Sequence, residues 1–492
     1  MIRPTHVSAR AEQYQRAGGP WDQPSLDALL TGAADASSSK LLIVDGDNRV
    51  DGRDLNARVA QLASEFLALG VVCGDVVTWQ YPNSIDAIVA LRACWRIGAI
   101  AAPLHHNFAA REVASLHNRI QPKLILNNER PLSTAPASNA HAEVANLWSG
   151  GTALAAVLFT SGSSGTPKGV LHTQHTLAYK ARSMAAVHGL TSDDVVLMPA
   201  PLAHISGLLN GVTLPGSLPF TSVLMARWNP EAALDLIESE RVSFMVGPPT
   251  FFVSLMRSPK FSTERVHSLR LISSGGSDVS PEFVQLASDT FHAVVKRTYG
   301  STEAPTVATS APTDRVEFAG RHDGRAIGEV ELRTIASGEL LVRGPEVCVG
   351  YLDDNQTSEA FDAEGWYATG DLATIDNGWL TITGRIADII IRGGENISTN
   401  EVERALTAHP SIAAAVVVGY RDDYMGERVG ACVVASAPVS LADLQAWFEA
   451  CGVAKYKTPE RLVALESIPL LPSGKPDRTA LRAQVEEANQ AG

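Results

Sequence analysis

The hydrophobic pattern along the chain alternates between two periods. Leu41-Leu42-Ile43-Val44-Asp45 is a short apolar run of strand type, and Leu55 to Leu69 then carries Leu55, Val59, Leu62, Phe66 and Leu69 at helical intervals before stopping at Gly70. Val76 to Gln80 predicts a strand, Asn83 or Ser84 a helix cap, Ile85 to Arg96 a helix, and Gly98 to Pro103 the next strand. This pitch of strand and helix predicts a parallel sheet covered on both faces. The same alternation returns downstream. Thr173 to Val187 reads as a helix closed by Gly189, Val196 onward as a strand, Ser243 to Thr250 as strand and turn, Leu269 to Ser277 as a strand running into a Gly-rich turn, and Val294 to Thr298 as another strand. Leu380 to Thr383, Ile412 to Val418 and Val429 to Val434 predict strands, and Leu441 to Ala450 a helix. Residues 1 to about 40 are polar and Ala/Ser-rich, which predicts a short helix and a surface lead-in, and residues 127–151 read as loop.

Composition narrows the picture. At 492 residues the chain is longer than one hydrophobic core usually serves, so two or more domains are expected. A formal charge of −13 argues against nucleic acid as a partner. Cys73, Cys94, Cys348, Cys432 and Cys451 are scattered without a CxxC pair, as expected of reduced core residues in a cytoplasmic protein. The N-terminus lacks the apolar core of a secretory signal and no run reaches membrane-spanning length, while peripheral membrane contact stays open.

The candidate chemistry begins at Val157-Leu158-Phe159, which delivers the chain into Thr160-Ser161-Gly162-Ser163-Ser164-Gly165-Thr166-Pro167-Lys168-Gly169. Small residues let backbone N–H groups turn inward, hydroxyls add donors, and Lys168 brings one ammonium; together these suit a polyphosphate. Pro167 stands where a Walker loop needs its second glycine, and Gly169 replaces the magnesium-binding Ser/Thr, so a Walker-type fold is disfavoured. The strand before and the Pro-Lys-Gly after distinguish the segment from a flexible Ser/Gly linker.

This loop resembles the signature loop of the adenylate-forming superfamily of acyl-CoA synthetases, peptide-synthetase adenylation domains and beetle luciferases. The resemblance extends in order through Pro201-Leu202-Ala203-His204-Ile205-Ser206-Gly207, Tyr299-Gly300-Ser301-Thr302-Glu303, Ala368-Thr369-Gly370-Asp371, Gly384-Arg385 and Pro472-Ser473-Gly474-Lys475. It implies an α/β fold: a large N-terminal domain of parallel sheets flanked by helices with a β-barrel portion, residues 1–385, and a small mobile α+β C-terminal domain, residues 386–492.

The roles it implies are specific. ATP would be held by Thr160 to Thr166, Lys168, Gly275, Gly276, Tyr299, Gly300, Ser301, Thr302, Asp371, Arg385 and Lys475. Tyr299 would cover the base, Thr302 would meet the α-phosphate, Glu303 would bind Mg2+, and Asp371 would take the ribose hydroxyls. Thr302, Glu303 and Lys475 would be catalytic, the lysine bridging the carboxylate and the α-phosphate. His204, Gly207, Gly247 and Gly276 would border the acyl pocket, and Gly393 and Gly394 would lie near the thiol of coenzyme A. The chain departs from the pattern at Ala387, where the hinge residue is usually Asp or Lys.

The expected activity is an ATP-dependent acid–CoA ligase, with a carrier protein as the alternative acceptor. Amino-acid-activating members need an acid for the α-ammonium, and His204-Ile205-Ser206-Gly207 has no Asp, which favours an uncharged organic tail. Gly207, Gly211 and Gly247 are expected to leave space near the pocket and Phe244, Met245, Phe251 and Phe252 to wall it. A medium-chain, alicyclic or aromatic acid is expected. A catalytically silent binder is disfavoured by the presence of Lys168, Thr302, Glu303, Asp371, Arg385 and Lys475.

Overall fold

Alternating strand and helix folds as a mixed α/β protein in the computed structural model, which describes residues 2–6, 10–127, 153–160, 167–277, 279–393, 395–422, 424–471 and 476–488. The chain divides into two compact units, Met1–Leu332 with Val342–Ala368, and Arg333–Leu341 with Thr369–Gly492.

The first unit holds two sheets. One has nine strands, in the order Arg325–Ala326, Ala308–Thr309, Val294–Tyr299, Leu271–Gly275, Phe244–Gly247, Val195–Met198, Thr221–Leu224, Leu41–Asp45 and Asn48–Asp51. Its inner pairings, from Leu41–Asp45 across to Val294–Tyr299, are parallel, and its outer ones are antiparallel. The second sheet orders Leu124–Leu126, Val76–Trp79, Ile100–Pro103, Leu154–Thr160 and Lys168–Thr173, parallel except for its last pair.

The helix Ile85–Arg96 explains how the two sheets share a core. Ser84 caps its start by accepting from the Ala87 N–H, and every residue after Asp86 is buried. A helix apolar on all sides belongs inside a protein. Ile88 and Trp95 join one cluster with Val77 and Leu158 of the five-stranded sheet and Val196 and Phe244 of the nine-stranded one. Trp95 donates its indole N–H to the Ala155 carbonyl at 3.0 Å. Asn83, just before the helix, donates to the carbonyls of Met198, Ala200 and Met225 and accepts from the Leu202 N–H, gathering the carboxyl ends of neighbouring strands.

From Thr369 onward the second unit holds the hairpin of Tyr367–Asp376 and Trp379–Arg385, the last members of a four-stranded sheet that begins with Glu331–Thr334 and Glu339–Arg343. A bulge between Leu372 and Ala373 curls this hairpin, as bulges increase local twist. A five-stranded sheet follows, built on the long antiparallel pair Ile412–Asp422 and Gly426–Ala435 and covered by the helices Thr399–Thr407, Leu441–Ala450 and Arg478–Glu487. Val402, Leu406, Val429, Leu444 and Phe448 fill one side, and Tyr420, Cys432, Leu481 and Val485 the other.

Three expectations are corrected. The first forty residues are not a surface lead-in: the helix Leu26–Ala36 buries Leu26, Leu30 and Ala34, and Tyr14 and Trp21 join a small aromatic cluster with Tyr179. The expected turn at 248–250 opens a helix, Pro249–Met256, with proline at its first position. The third concerns the apolar side chains expected to wall the pocket and is described with the site. Residues 127–151 fall almost wholly outside the described residues. The cysteines are free, with Cys94, Cys348 and Cys432 buried. Among the described residues, no helix is long and apolar enough to cross a membrane.

Candidate functional site

In the first unit, the predicted residues gather at the carboxyl ends of parallel strands, where open α/β sheets bind ligands. Gly247, Gly275 and Tyr299 end three adjacent strands of the nine-stranded sheet. A side chain on Gly275 would overlap the Thr298 carbonyl of the neighbouring strand, so this glycine serves close strand approach. Gly276, at φ +79°, faces open space. The Ser274 hydroxyl ties the row together by donating to the Gly247 carbonyl at 3.1 Å.

The segment Gly300–Glu303 is a tight loop held from several directions. Any Cβ on Gly300 would run into the Thr306 backbone, and Ser301 and Ala304 exchange two hydrogen bonds. The Thr302 carbonyl accepts from His172 Nε2 at 2.7 Å. A carbonyl cannot donate, so Nε2 carries the proton, and Nδ1 faces the Thr176 hydroxyl at 3.2 Å. Burial holds His172 neutral, with its pKa lowered to about 4. Glu303 is buried; its Oε1 accepts from the Tyr351 hydroxyl at 2.8 Å and its carbonyl from the Cys348 N–H, also at 2.8 Å.

The phosphate-loop candidates divide. Thr160 ends the strand Leu154–Thr160 and pairs in register with Lys168, which opens the strand Lys168–Thr173. Lys168 Nζ lies 5.2 Å from the centre of the Tyr351 ring, and the Pro167 carbonyl accepts from Arg119 Nη1 at 2.5 Å. Ser161, Gly162, Ser163, Ser164, Gly165 and Thr166 lie outside the described residues.

At three of the expected pocket glycines the structure shows tight packing along the direction a side chain would take. A Cβ on Gly207 would overlap the Pro201 carbonyl, one on Gly211 would press on Met198, and one on Gly247 would press on Phe251. These glycines permit close packing with the protein's own atoms. Phe244, Met245 and Phe252 are wholly buried in the core, and only the half-buried Phe251, stacked on Trp228, remains of the expected wall. His204 sits half-buried at the start of the short helix Ile205–Leu208, its ring edge-on to that of His105 at 5.1 Å. Sequence reading missed His105, His172 and Tyr351. His105 follows a strand directly and could have been noticed there, but the partners of the other two are remote in sequence.

In the second unit Asp371 and Arg385 stand opposite each other on the hairpin, with Arg385 Nε 2.6 Å from Asp371 Oδ1. Asp371 is buried and Arg385 exposed. Gly370, at φ +73°, presents its N–H to Glu339 Oε1, and Thr369 accepts from the Asp371 N–H. Ala387 lies in the short turn Ile386–Asp388, and the adjacent Asp388 faces Arg478 at 3.7 Å. Gly393, at φ +58°, donates to the Met425 carbonyl, and any Cβ there would meet the Met425 methyl. Gly394 and Lys475 lie outside the described residues.

Among the described residues no group of three or more His, Cys, Asp or Glu forms a metal cage. Mg2+ is bound elsewhere by one or two carboxylates plus substrate phosphates, and Glu303 fits that manner of binding: it is a buried carboxylate whose second oxygen is left by the Tyr351 contact.

Comparison with known proteins places the chain in a family. The model for the AMP-binding enzyme family matches residues 30–352, and that for the AMP-binding enzyme C-terminal domain matches residues 401–475. The chain is 34% identical to a medium-chain fatty-acid–CoA ligase of Escherichia coli strain K12, over 96% of this chain and 92% of that one. It is 30% identical to a salicyl-AMP ligase / salicyl-S-ArCP synthetase of Mycobacterium tuberculosis, over 97% of this chain and 93% of the other. ATP-bound MatB from Rhodopseudomonas palustris superposes with a TM-score of 0.86 at 25% identity, covering 94% of this chain and 99% of MatB. With its strand-end residues and both family models in the same order along the sequence, the chain belongs to the AMP-binding enzyme family of the adenylate-forming superfamily and is an AMP-forming acid–thiol ligase.

Proposed function

We propose that the chain activates a medium-chain fatty, alicyclic or aromatic carboxylic acid with ATP and passes the acyl group to coenzyme A. The observation that carries this reading is the Thr302–Glu303 loop, pinned by His172 and Tyr351 beside Lys168. It joins a hydroxyl, a carboxylate and an ammonium at strand ends, as binding a metal-bound polyphosphate requires. The 34% identity to a medium-chain fatty-acid–CoA ligase supports the acid class.

In the first half-reaction the carboxylate attacks the α-phosphate of ATP, forming acyl-adenylate and releasing pyrophosphate. Thr302 and Lys168 receive the phosphates, Tyr299 covers the base, and Asp371 with Arg385 holds the ribose. Mg2+, held by Glu303 and the phosphates, would supply charge neutralisation. Lys475 bridges the two anions and lowers their repulsion at the transition state. In the second half-reaction the thiol attacks the activated carbonyl and AMP leaves, with Gly393 and Gly394 at the thiol's approach and the region 386–492 acting as a mobile lid. Catalysis is chiefly positioning plus electrostatics.

A carrier protein as acceptor is the second reading, favoured by the similarity to the salicyl-S-ArCP synthetase. The test is pyrophosphate release with Mg-ATP across a panel of carboxylic and amino acids, with and without coenzyme A. Release that needs an organic acid of six to ten carbons or an aromatic one, and turns over only with coenzyme A, is expected. Release unchanged by coenzyme A points to a carrier protein. Activity on acetate with none on the longer acids refutes the proposed acid class.

A further inference from the structure

Residues Val349–Leu352 form a strap beside the strand that leaves the phosphate loop. The Val349 N–H donates to the Leu171 carbonyl, the Leu171 N–H to Gly350, and the Leu352 N–H to Gly169, at 2.8 to 3.0 Å. Tyr351 bridges Val170 in antiparallel register. One residue upstream, the Cys348 N–H holds the Glu303 carbonyl. The strap therefore ties the strand beginning at Lys168 to the loop bearing Glu303.

Tyr351 stands at the centre of this strap and is 2% exposed. Its hydroxyl donates to Glu303 Oε1 at 2.8 Å, while its ring faces Lys168 Nζ at 5.2 Å. Its own backbone is fixed on both sides, the N–H donating to Thr357 Oγ1 at 2.9 Å and the carbonyl accepting from Thr5 Oγ1 at 2.8 Å. One rigid side chain thus touches both the cation and the anion of the nucleotide site.

We propose that Tyr351 is a positioning residue that sets Glu303 and Lys168 for binding the metal–nucleotide complex. The phenol suits this role chemically. A single O–H donor occupies one carboxylate oxygen without cancelling the charge as a basic residue would. The ring face attracts the ammonium without neutralising it, so the lysine keeps its charge for phosphate.

The inference rests on the reading of Glu303 and Lys168 as nucleotide ligands, and its test separates the two. Nucleotide binding is measured by calorimetry with Mg-ATP and with metal-free ATP, and Mn2+ binding to the ATP complex by electron paramagnetic resonance, beside thermal melting. Tyr351→Phe keeps the ring and the fold. It should leave metal-free ATP binding near that of the unsubstituted protein and weaken metal binding in the ATP complex by about tenfold, the effect of a lost hydrogen bond to a charged group. Tyr351→Leu should weaken metal-free ATP binding as well. Unchanged metal affinity in Tyr351→Phe would overturn the inference. Absence of metal-dependent ATP binding in the unsubstituted protein would sink the nucleotide-site reading itself, and this inference with it.

Discussion

Replacing His172 with glutamine isolates one proton. The imidazole is fully buried, donates from Nε2 to the Thr302 carbonyl, and has its pKa pulled from 6.5 to about 4 by burial. In the unfolded chain the same group titrates near its ordinary value. Between the two pKa values the unfolded state binds the proton and the folded state refuses it, so stability is retained above about pH 6.5 and lost as pH falls towards 4. A tenfold difference in proton affinity between the two states is worth about 1.4 kcal/mol, and integrating between pH 7 and pH 5 gives a loss of about 2 kcal/mol from this residue alone. Glutamine at 172 can place an N–H near the Nε2 position and does not titrate. The assay is urea denaturation followed by tryptophan fluorescence at pH 7 and pH 5 for both proteins. The stability gap between them should move by about 2 kcal/mol in favour of the glutamine variant at the lower pH. A gap that is the same at both values would refute the assignment of His172 as a buried neutral donor. The other buried histidines titrate in both proteins and cancel.

Three further outcomes are expected. Lys475→Ala should abolish acid-dependent pyrophosphate release while sparing thioester formation from supplied acyl-adenylate; equal loss of both half-reactions would contradict a lysine confined to the first. Gly207→Ala forces a methyl against the Pro201 carbonyl and should cost about 1–3 kcal/mol, read as a lowered melting temperature, whereas an unchanged melting temperature would show that the turn relaxes freely. Lys180 and Glu346 form a fully buried ion pair at 2.9 Å, so Glu346→Gln should cost about 3–5 kcal/mol in urea denaturation. Lys180→Met with Glu346→Leu should recover much of that loss, and a double variant as damaged as the single one would argue against charge burial as the cause.

Local patterns were legible from sequence because their cause is local. The helices Ile85–Arg96 and Leu441–Ala450 stand where their apolar spacing and caps put them. Tyr299 to Glu303 could be placed at a strand end because Val294 to Thr298 reads as a strand with no other information. The supports of that loop were not legible. His172 meets Thr302 across 130 positions, and Tyr351 meets Glu303 across 48. Neither pairing leaves a periodic trace. Leu26 and Leu30 were hidden for a different reason: Ala- and Ser-rich surroundings lower the apparent hydrophobicity of a helix that packs inward on two leucines. The glycines are ambiguous in sequence because absence of a side chain reads equally as room for a ligand or as room for the protein's own backbone. At Gly207 the Pro201 carbonyl takes that room.

The strand Trp379–Arg385 ends one sheet and Ile389–Arg392 starts the next, and among the described residues no strand pairing links the two sheets. A graft joined between Arg385 and Ile389 would therefore import a complete hydrogen-bonded sheet from its donor and leave the recipient's intact. Grouping by compactness gives a different parcel, in which residues 333–341 and 369–385 belong with the C-terminal sheet. A hybrid joined between Arg385 and Ile389 would keep backbone ladders whole, yet it would set the recipient's Asp371–Arg385 hairpin against foreign side chains, including the one standing in place of Ser398, whose hydroxyl donates to the Thr383 carbonyl. Exchange of parts between relatives is thus undemanding for main-chain pairing and selective at the side chains of residues 369–398.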